Sequence, residues 1–247
     1  MNTYKHDTVV PFRKSGESKK KQVESMFDTI AFRYDFLNRF LSAGIDVSWR
    51  KKAIRELVSL HPENILDVAT GTGDLALTCY KILKPHKITG IDISEGMLDL
   101  GRKKITNLGL DKQIQLLKGD SEAIFFNDNS FDAVTVAFGV RNFEHLEKGL
   151  SEIYRVLKPG GKLVVLEFSK PSLPLVKNLY KFYMKFITPN IGKLISKNND
   201  AYRYLNDSVQ KFPEREAFIH ILNQLQYRHS FYKTLSLGIC TIYCGEK

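Results

Sequence analysis

Three acidic residues surround a glycine turn in the first half of the chain. Asp67 lies in an apolar run, Asp74 follows Gly71-Thr72-Gly73, and Asp92 ends the next apolar run. Gly71, Gly73 and Ala76 satisfy G-x-G-x-x-A, and Asp92 follows about 20 residues on, which is also the outline of a dinucleotide site. Charge separates the two readings. A dinucleotide sets its pyrophosphate against free N–H groups at a helix N-terminus, where Asp67 and Asp74 repel it. S-adenosylmethionine has no phosphate; it carries a sulfonium and an ammonium, which acidic residues suit, and glycines let the main chain approach. The pattern therefore points to S-adenosylmethionine, with Asp92 accepting from both ribose hydroxyls. The plainer role for Asp74 is a helix N-cap.

Further along, Asp120 and Ser121 end a third run, where an adenine edge would lie and Asp120 would accept from the adenine amino group. The alternative there is a solvated turn aspartate. Arg141, in "FGVRNFEH", stands past a fourth run. It is placed to stabilise a developing oxyanion or to position a proton-accepting water, or else to pair with a carboxylate for structure. His145 is a candidate base whose more ordinary role is to cap or pack its helix. Cys79, Cys240 and Cys244 are too few and too badly spaced for a zinc site or a disulfide framework. No metal is expected, and Cys240 and Cys244 fall on one side of a strand.

The elements that must position these residues alternate. Nearly continuous apolar runs predict strands at 65–70, 88–92, 113–118, 132–137 and 162–168, buried on both faces. Helical spacing predicts helices at 74–84, 95–107 and 145–157, and "LKPGGKL" is a helix stop and a turn into a strand. The fold class is α/β, a doubly wound, mostly parallel sheet. Ahead of it, 23–60 reads as two or three helices carrying Met26, Phe27, Ile30, Tyr34, Leu37, Phe40 and Leu41 at helical spacing. After it come an amphipathic segment (175–188), a polar loop, a helix near 213–225 and two strands turning near Leu237 and Gly238. Residues 1–22 read as a flexible basic tail, 23–247 as one domain with a helical cover segment, an insertion before the last two strands, at 171–212.

The 247 residues carry a net charge of +10, which suggests an acidic partner, nucleic acid or an anionic membrane surface. No apolar run reaches the roughly 18 residues that span a bilayer, and the N-terminus lacks the apolar core of a secretory signal. A cytoplasmic protein is expected. Lys177, Lys181 and Lys185 share one helix face, with Leu175, Leu179, Phe182 and Phe186 on another. That suits a helix lying on an anionic membrane, and equally a lid over a pocket with solvated lysines.

"ILDVATGTGD", "GIDIS", "GDSEAIFF", "FGVRNFEH" and "YRVLKPGGKLVVLEFSKP" resemble class I methyltransferases. With "FDTIAFRYDFLNRFLSAGIDVSWRKKAI" and "SKNNDAYRYLNDSVQKFP", the chain resembles the ubiquinone/menaquinone biosynthesis C-methyltransferase family over about residues 20 to 245. The resemblance implies a Rossmann-like, seven-stranded sheet with the last strand antiparallel. It implies methyl transfer from S-adenosylmethionine to a ring carbon of a polyprenylated quinol, either demethylmenaquinol in menaquinone biosynthesis or the benzoquinol of ubiquinone biosynthesis. Cofactor contacts carry over to Thr72, Asp92, Asp120 and Ser121. Ala137 departs from the pattern, since many members have a cofactor-contacting Ser there. Methylation at carbon needs an ionised ring hydroxyl, and free phenols ionise near pH 10 by analogy with tyrosine (about 10). Arg141 is the expected catalytic cation, with Tyr34, Asp35, Tyr202 and Tyr204 as candidates to close the pocket. A nucleic-acid methyltransferase competes on charge alone. "AFGVRN" lacks the Asn/Asp-Pro-Pro-Tyr motif of amino-group methylation, so nucleic acid is not the expected partner.

Overall fold

β-branched and leucine-rich runs that bury both faces become the centre of one sheet. A computed structural model of the chain describes residues 4–42, 44–171 and 199–247, except the side chains of 33–38, 40, 41, 199 and 202. The strands are β1 (Asn64–Val68), β2 (Lys87–Asp92), β3 (Ile114–Lys118), β4 (Phe131–Ala137), β5 (Leu157–Phe168), β6 (Arg228–Leu235) and β7 (Cys240–Glu246). Their order is β3-β2-β1-β4-β5-β7-β6, and β7 runs antiparallel to both neighbours. The chain leaves β1 toward β3 and returns on the other side at β4, so a crevice opens where β1 and β4 diverge at their carboxyl ends.

Seven helices are described: α1 (Lys19–Leu41), α2 (Ile45–Arg55), α3 (Asp74–Leu83), α4 (Glu95–Asn107), α5 (Leu146–Val156), α6 (Asn199–Lys211) and α7 (Glu216–Gln224). Alternate strand residues face two core layers. Ile65, Ile88, Ala133, Val164 and Ile242 pack against α2, α3 and α4. Leu66, Val134, Val165 and Tyr243 pack against α5 and α7. Cys240 and Cys244 share the first layer, and all three cysteines are buried and unbridged.

Three expectations are corrected. The N-terminal segment is not a detached tail from residue 4 onward: His6, Lys19 and Gln22 are buried, and α1 begins at Lys19 rather than beyond it. Three lysines at a helix N-terminus oppose the helix dipole, which is why the sequence reads as disordered. Here Ser18 Oγ accepts from the Lys21 N–H, an N-cap arrangement, and acidic neighbours meet Lys20 and Lys21. Within the segment expected to be a helical cover, the stretch read as a polar loop before residue 213 is α6, whose buried positions are Ala201, Tyr204, Ser208 and Val209. That stripe has helical spacing but little apolar bulk, so hydrophobicity alone conceals it. Finally, β5 starts at Leu157, with Pro159 to Gly161 absorbed as an irregularity opposite Phe131 and Ala133. The 175–188 segment and its lysines lie outside the described residues.

Candidate functional site

The glycine turn is built from beneath by a buried carboxylate. Asp67 Oδ2 accepts from Thr70 Oγ1 at 2.6 Å and Oδ1 from Thr135 Oγ1 at 2.7 Å, which ties the end of β1 to β4. Burial pushes the Asp67 carboxyl up to about 6, against the pull of the two hydroxyls, with Asp92 adding repulsion. Gly71 and Gly73 then take φ of +55° and +78°, values that favour glycine, and Gly73 caps α3. Asp92, at the end of β2, receives the Gly71 N–H at 2.8 Å on Oδ2 and the Ser94 N–H at 2.9 Å on Oδ1. Burial raises its pKa, while the N–H groups of Ser94, Gly71 and Ile93 pull it down.

An open cavity lies above this turn. Gly71, Asp92, Ile93 and Met97 form one wall; Gly119, Asp120, Ser121 and Glu122 form a second. Ala137 to Gly139 with Asn142, Phe143 and Glu144 form a third, and Lys20, Val23 and Phe27 of α1 form the fourth. Asp92, Asp120 and Ser121 are thus brought together as expected. Ala137 offers the cavity a methyl group and no hydroxyl.

Thr72 differs. It is buried, its Oγ1 accepts from Lys104 Nζ at 3.2 Å, and its side chain is not part of the cavity wall. Asp74 is the first residue of α3, not its cap, and its carboxylate lies 2.7 Å from Lys104 Nζ and 3.9 Å from Arg50 and Arg39. The two acids expected to repel a pyrophosphate are therefore engaged below and beside the turn. The negative wall consists instead of Asp92, Asp120, Glu122 and Glu144, with Lys20 the one cation among the described lining residues.

The residue expected as the catalytic cation, Arg141, sits in a buried ion pair. Arg141 is 5% exposed, in the short helical turn Val140–Asn142. Its Nη1 donates to Glu167 Oε1 at 2.8 Å and to the Phe138 carbonyl, and its guanidinium lies over the Phe168 ring. Glu167 is fully buried; burial raises its pKa and Arg141 pulls it down. This is the structural ion pair of the alternative reading, and the cavity wall carries the adjacent Asn142 instead. Asn142 donates from Nδ2 to the Phe138 carbonyl at 3.3 Å and accepts from Tyr204 Oη at 3.1 Å. His145 occupies the N-cap position of α5 with an exposed ring and no side-chain cap bond; its main-chain N–H goes to Glu122. The side chains of Tyr34, Asp35 and Tyr202 lie outside the described residues.

Sequence reasoning missed the α1 wall and Asn142. A signal existed for the first: Lys20, Glu24 and Asp28 recur every four residues, beside Val23 and Phe27. Lys20 reaches Asp120, Glu24 pairs with Lys118 at 2.8 Å, and Asp28 Oδ1 accepts from Ser94 Oγ at 2.6 Å and the Gly96 N–H at 3.0 Å.

The wall suits a cationic, phosphate-free nucleoside. It joins a glycine main chain, a strand-end acid and apolar faces from Val23, Phe27, Ile93 and Met97. Comparisons with known proteins agree. Residues 15–247 match the model of the ubiE/COQ5 methyltransferase family. The chain is 46% identical over 244 residues to the demethylmenaquinone methyltransferase of Bacteroides fragilis, covering 99% of each. It is 46% identical over 230 residues to the ubiquinone/menaquinone biosynthesis C-methyltransferase UbiE of Geotalea daltonii, covering 93% of this chain and 97% of that one. A Thermotoga maritima structure, described as a SAM-dependent methyltransferase and possible histamine N-methyltransferase, shares the fold. Its TM-score is 0.61 at 22% identity, over 90% of this chain and 99% of that one.

Proposed function

The chain belongs to the ubiE/COQ5 methyltransferase family, and we propose that it methylates a ring carbon of demethylmenaquinol to give menaquinol. It is an S-adenosylmethionine-dependent C-methyltransferase. The observation that carries the substrate is the near full-length identity to a demethylmenaquinone methyltransferase. The UbiE relative, equally identical over a slightly shorter span, favours a second reading in which a benzoquinol is also accepted.

S-adenosylmethionine supplies an electrophilic methyl group when bound. The chain's own residues have three tasks. Asp92 takes the ribose hydroxyls, and Asp120 with Ser121 takes the adenine edge. Thr72, whose hydroxyl faces Lys104, steadies the glycine turn from outside the cavity wall. Arg141 serves as a positioning residue: by binding Glu167 and the Phe138 carbonyl it fixes the turn that presents Asn142 to the cavity. Holding the quinol carbon in line with the methyl donor accounts for much of the rate. Among the described residues no helix is long and apolar enough to cross a membrane. The sequence spacing of lysines and apolar residues in 175–188, which lie outside the described residues, supports a reading in which the enzyme meets its prenylated substrate at an anionic bilayer surface.

The test supplies purified protein with methyl-labelled cofactor and, under reducing conditions, a demethylated naphthoquinol or the matching benzoquinol. Label in the naphthoquinol ring is the expected result. Label in the benzoquinol alone would replace the first reading by the second, and label in neither would remove both.

A further inference from the structure

Lys20 touches the cavity from a part of the chain that the glycine turn does not need. It leaves the first turn of α1 and places Nζ 2.7 Å from Asp120 Oδ2 and 3.4 Å from Glu122 Oε2. Glu122 is 2% exposed, and its other oxygen receives the main-chain N–H groups of Glu144 and His145 at 2.8 and 3.0 Å. Asp120 Oδ1 receives the Glu122 N–H at 2.9 Å. The Asp120 carboxylate is thus held at both oxygens, by its own turn and by α1. A carboxylate offers about four acceptor positions, so capacity is left for a donor arriving from the cavity. The lysine is itself fixed, because Glu24 and Asp28 pin the same face of α1 to Lys118 and to the start of α4.

We propose that Lys20 is a specificity-determining positioning residue. It fixes Asp120 so that the cavity selects a base bearing an exocyclic amino group, adenine, over one bearing a carbonyl at that carbon. A carbonyl there would face a held acceptor with no donor between the two, and sites built around such a bond discriminate strongly. The inference rests on the reading of Asp120 as the acid that meets adenine.

Binding of S-adenosylhomocysteine and of S-inosylhomocysteine, measured by calorimetry, tests it. The wild type should prefer the adenine compound by about 100-fold. Lys20→Met should weaken that compound by about tenfold and so cut the preference to about tenfold, as loss of one charge-assisted bond implies. Lys20→Arg should restore most of the preference, and unliganded unfolding curves show that each variant is folded. If Lys20→Met keeps the wild-type preference, whatever its affinity, the inference is wrong. Asp120→Asn separates the two levels. Loss of preference in Asp120→Asn with none in Lys20→Met overturns only the role of Lys20; unaltered preference in both overturns the adenine reading as well.

Discussion

The glycine turn and the first turn of α1 wall the same cavity by opposite routes. Gly71 reaches Asp92 across 21 residues, and Asp67 reaches Thr70 across three. Lys20 reaches Asp120 across 100 residues, and Asp28 reaches Ser94 across 66. In the turn, residue type at fixed spacing determines the geometry, because a glycine with positive φ and an acid at a strand end have few other uses. In α1 the spacing records only that one helix face is polar. What that face meets depends on how the sheet brings β2 and β3 side by side. Short-range sites are therefore visible before folding is known, and long-range walls only after it.

Removing the central acid of the turn should do the most damage. Asp92→Ala deletes the acceptor for two main-chain N–H groups and the proposed ribose contact. Cofactor affinity should fall by about 100-fold, given roughly 1.5–3 kcal/mol for hydrogen bonds to a charged group. Calorimetric titration with S-adenosylhomocysteine checks this. An unchanged affinity would mean that the turn is scaffold only and that α1 and the Asp120 loop do the binding.

This contrast also explains what the sequence made legible. The sheet, the glycine turn and the placement of Asp92, Asp120 and Ser121 follow from strand-length apolar runs and turn chemistry. The charge argument around the turn reached the right cofactor through the wrong residues. Lys104, distant in sequence, pairs with Asp74, and hydroxyls bury Asp67 beneath the turn. Arg141 stands beside the cavity as expected, yet its partner Glu167 lies on the neighbouring strand, 26 residues on. No local pattern distinguishes an arginine that faces a ligand from one that faces a buried glutamate.

A second substitution probes the α1 side. Asp28→Ala removes the bonds to Ser94 Oγ and the Gly96 N–H, which join α1 to the loop carrying Asp92. Cofactor binding should weaken by about five- to tenfold, in line with about 1 kcal/mol per bond, with turnover at saturating cofactor retained. Reduced turnover with normal cofactor affinity would reassign α1 to the quinol, and the two regions would no longer wall one ligand.

Asp67 allows the buried half of the turn to be read through pH. Its folded pKa of about 6 lies above the ordinary aspartate value of 3.8, so the native state binds the proton more tightly than the unfolded chain does. Between about pH 4 and 6 this group makes stability fall as pH rises, and its full burial cost is present above that window. Relative to Asp67→Asn, the wild type should therefore gain about 1 kcal/mol in urea unfolding as pH drops from 7 to 5. Parallel profiles for the two proteins would show that Asp67 does not titrate there, and that its hydroxyl partners hold it charged.

The smallest effect is expected in the middle of the α1 stripe. Glu24 and Lys118 form an ion pair with side chains 32% and 58% exposed, in contrast to the contacts at either end, which reach the cavity wall and the start of α4. Exposed pairs gain little in water and are screened by salt. A double-mutant cycle through Glu24→Ala and Lys118→Ala should give a coupling below about 0.5 kcal/mol, vanishing at high salt. Cofactor affinity should stay near the wild-type value, because neither residue lines the cavity. A larger, salt-resistant coupling would mean that Lys20, Glu24 and Asp28 act as one cooperative seam. The end contacts would then owe part of their effect to the middle, and substitutions at Lys20 and Asp28 would cease to be additive.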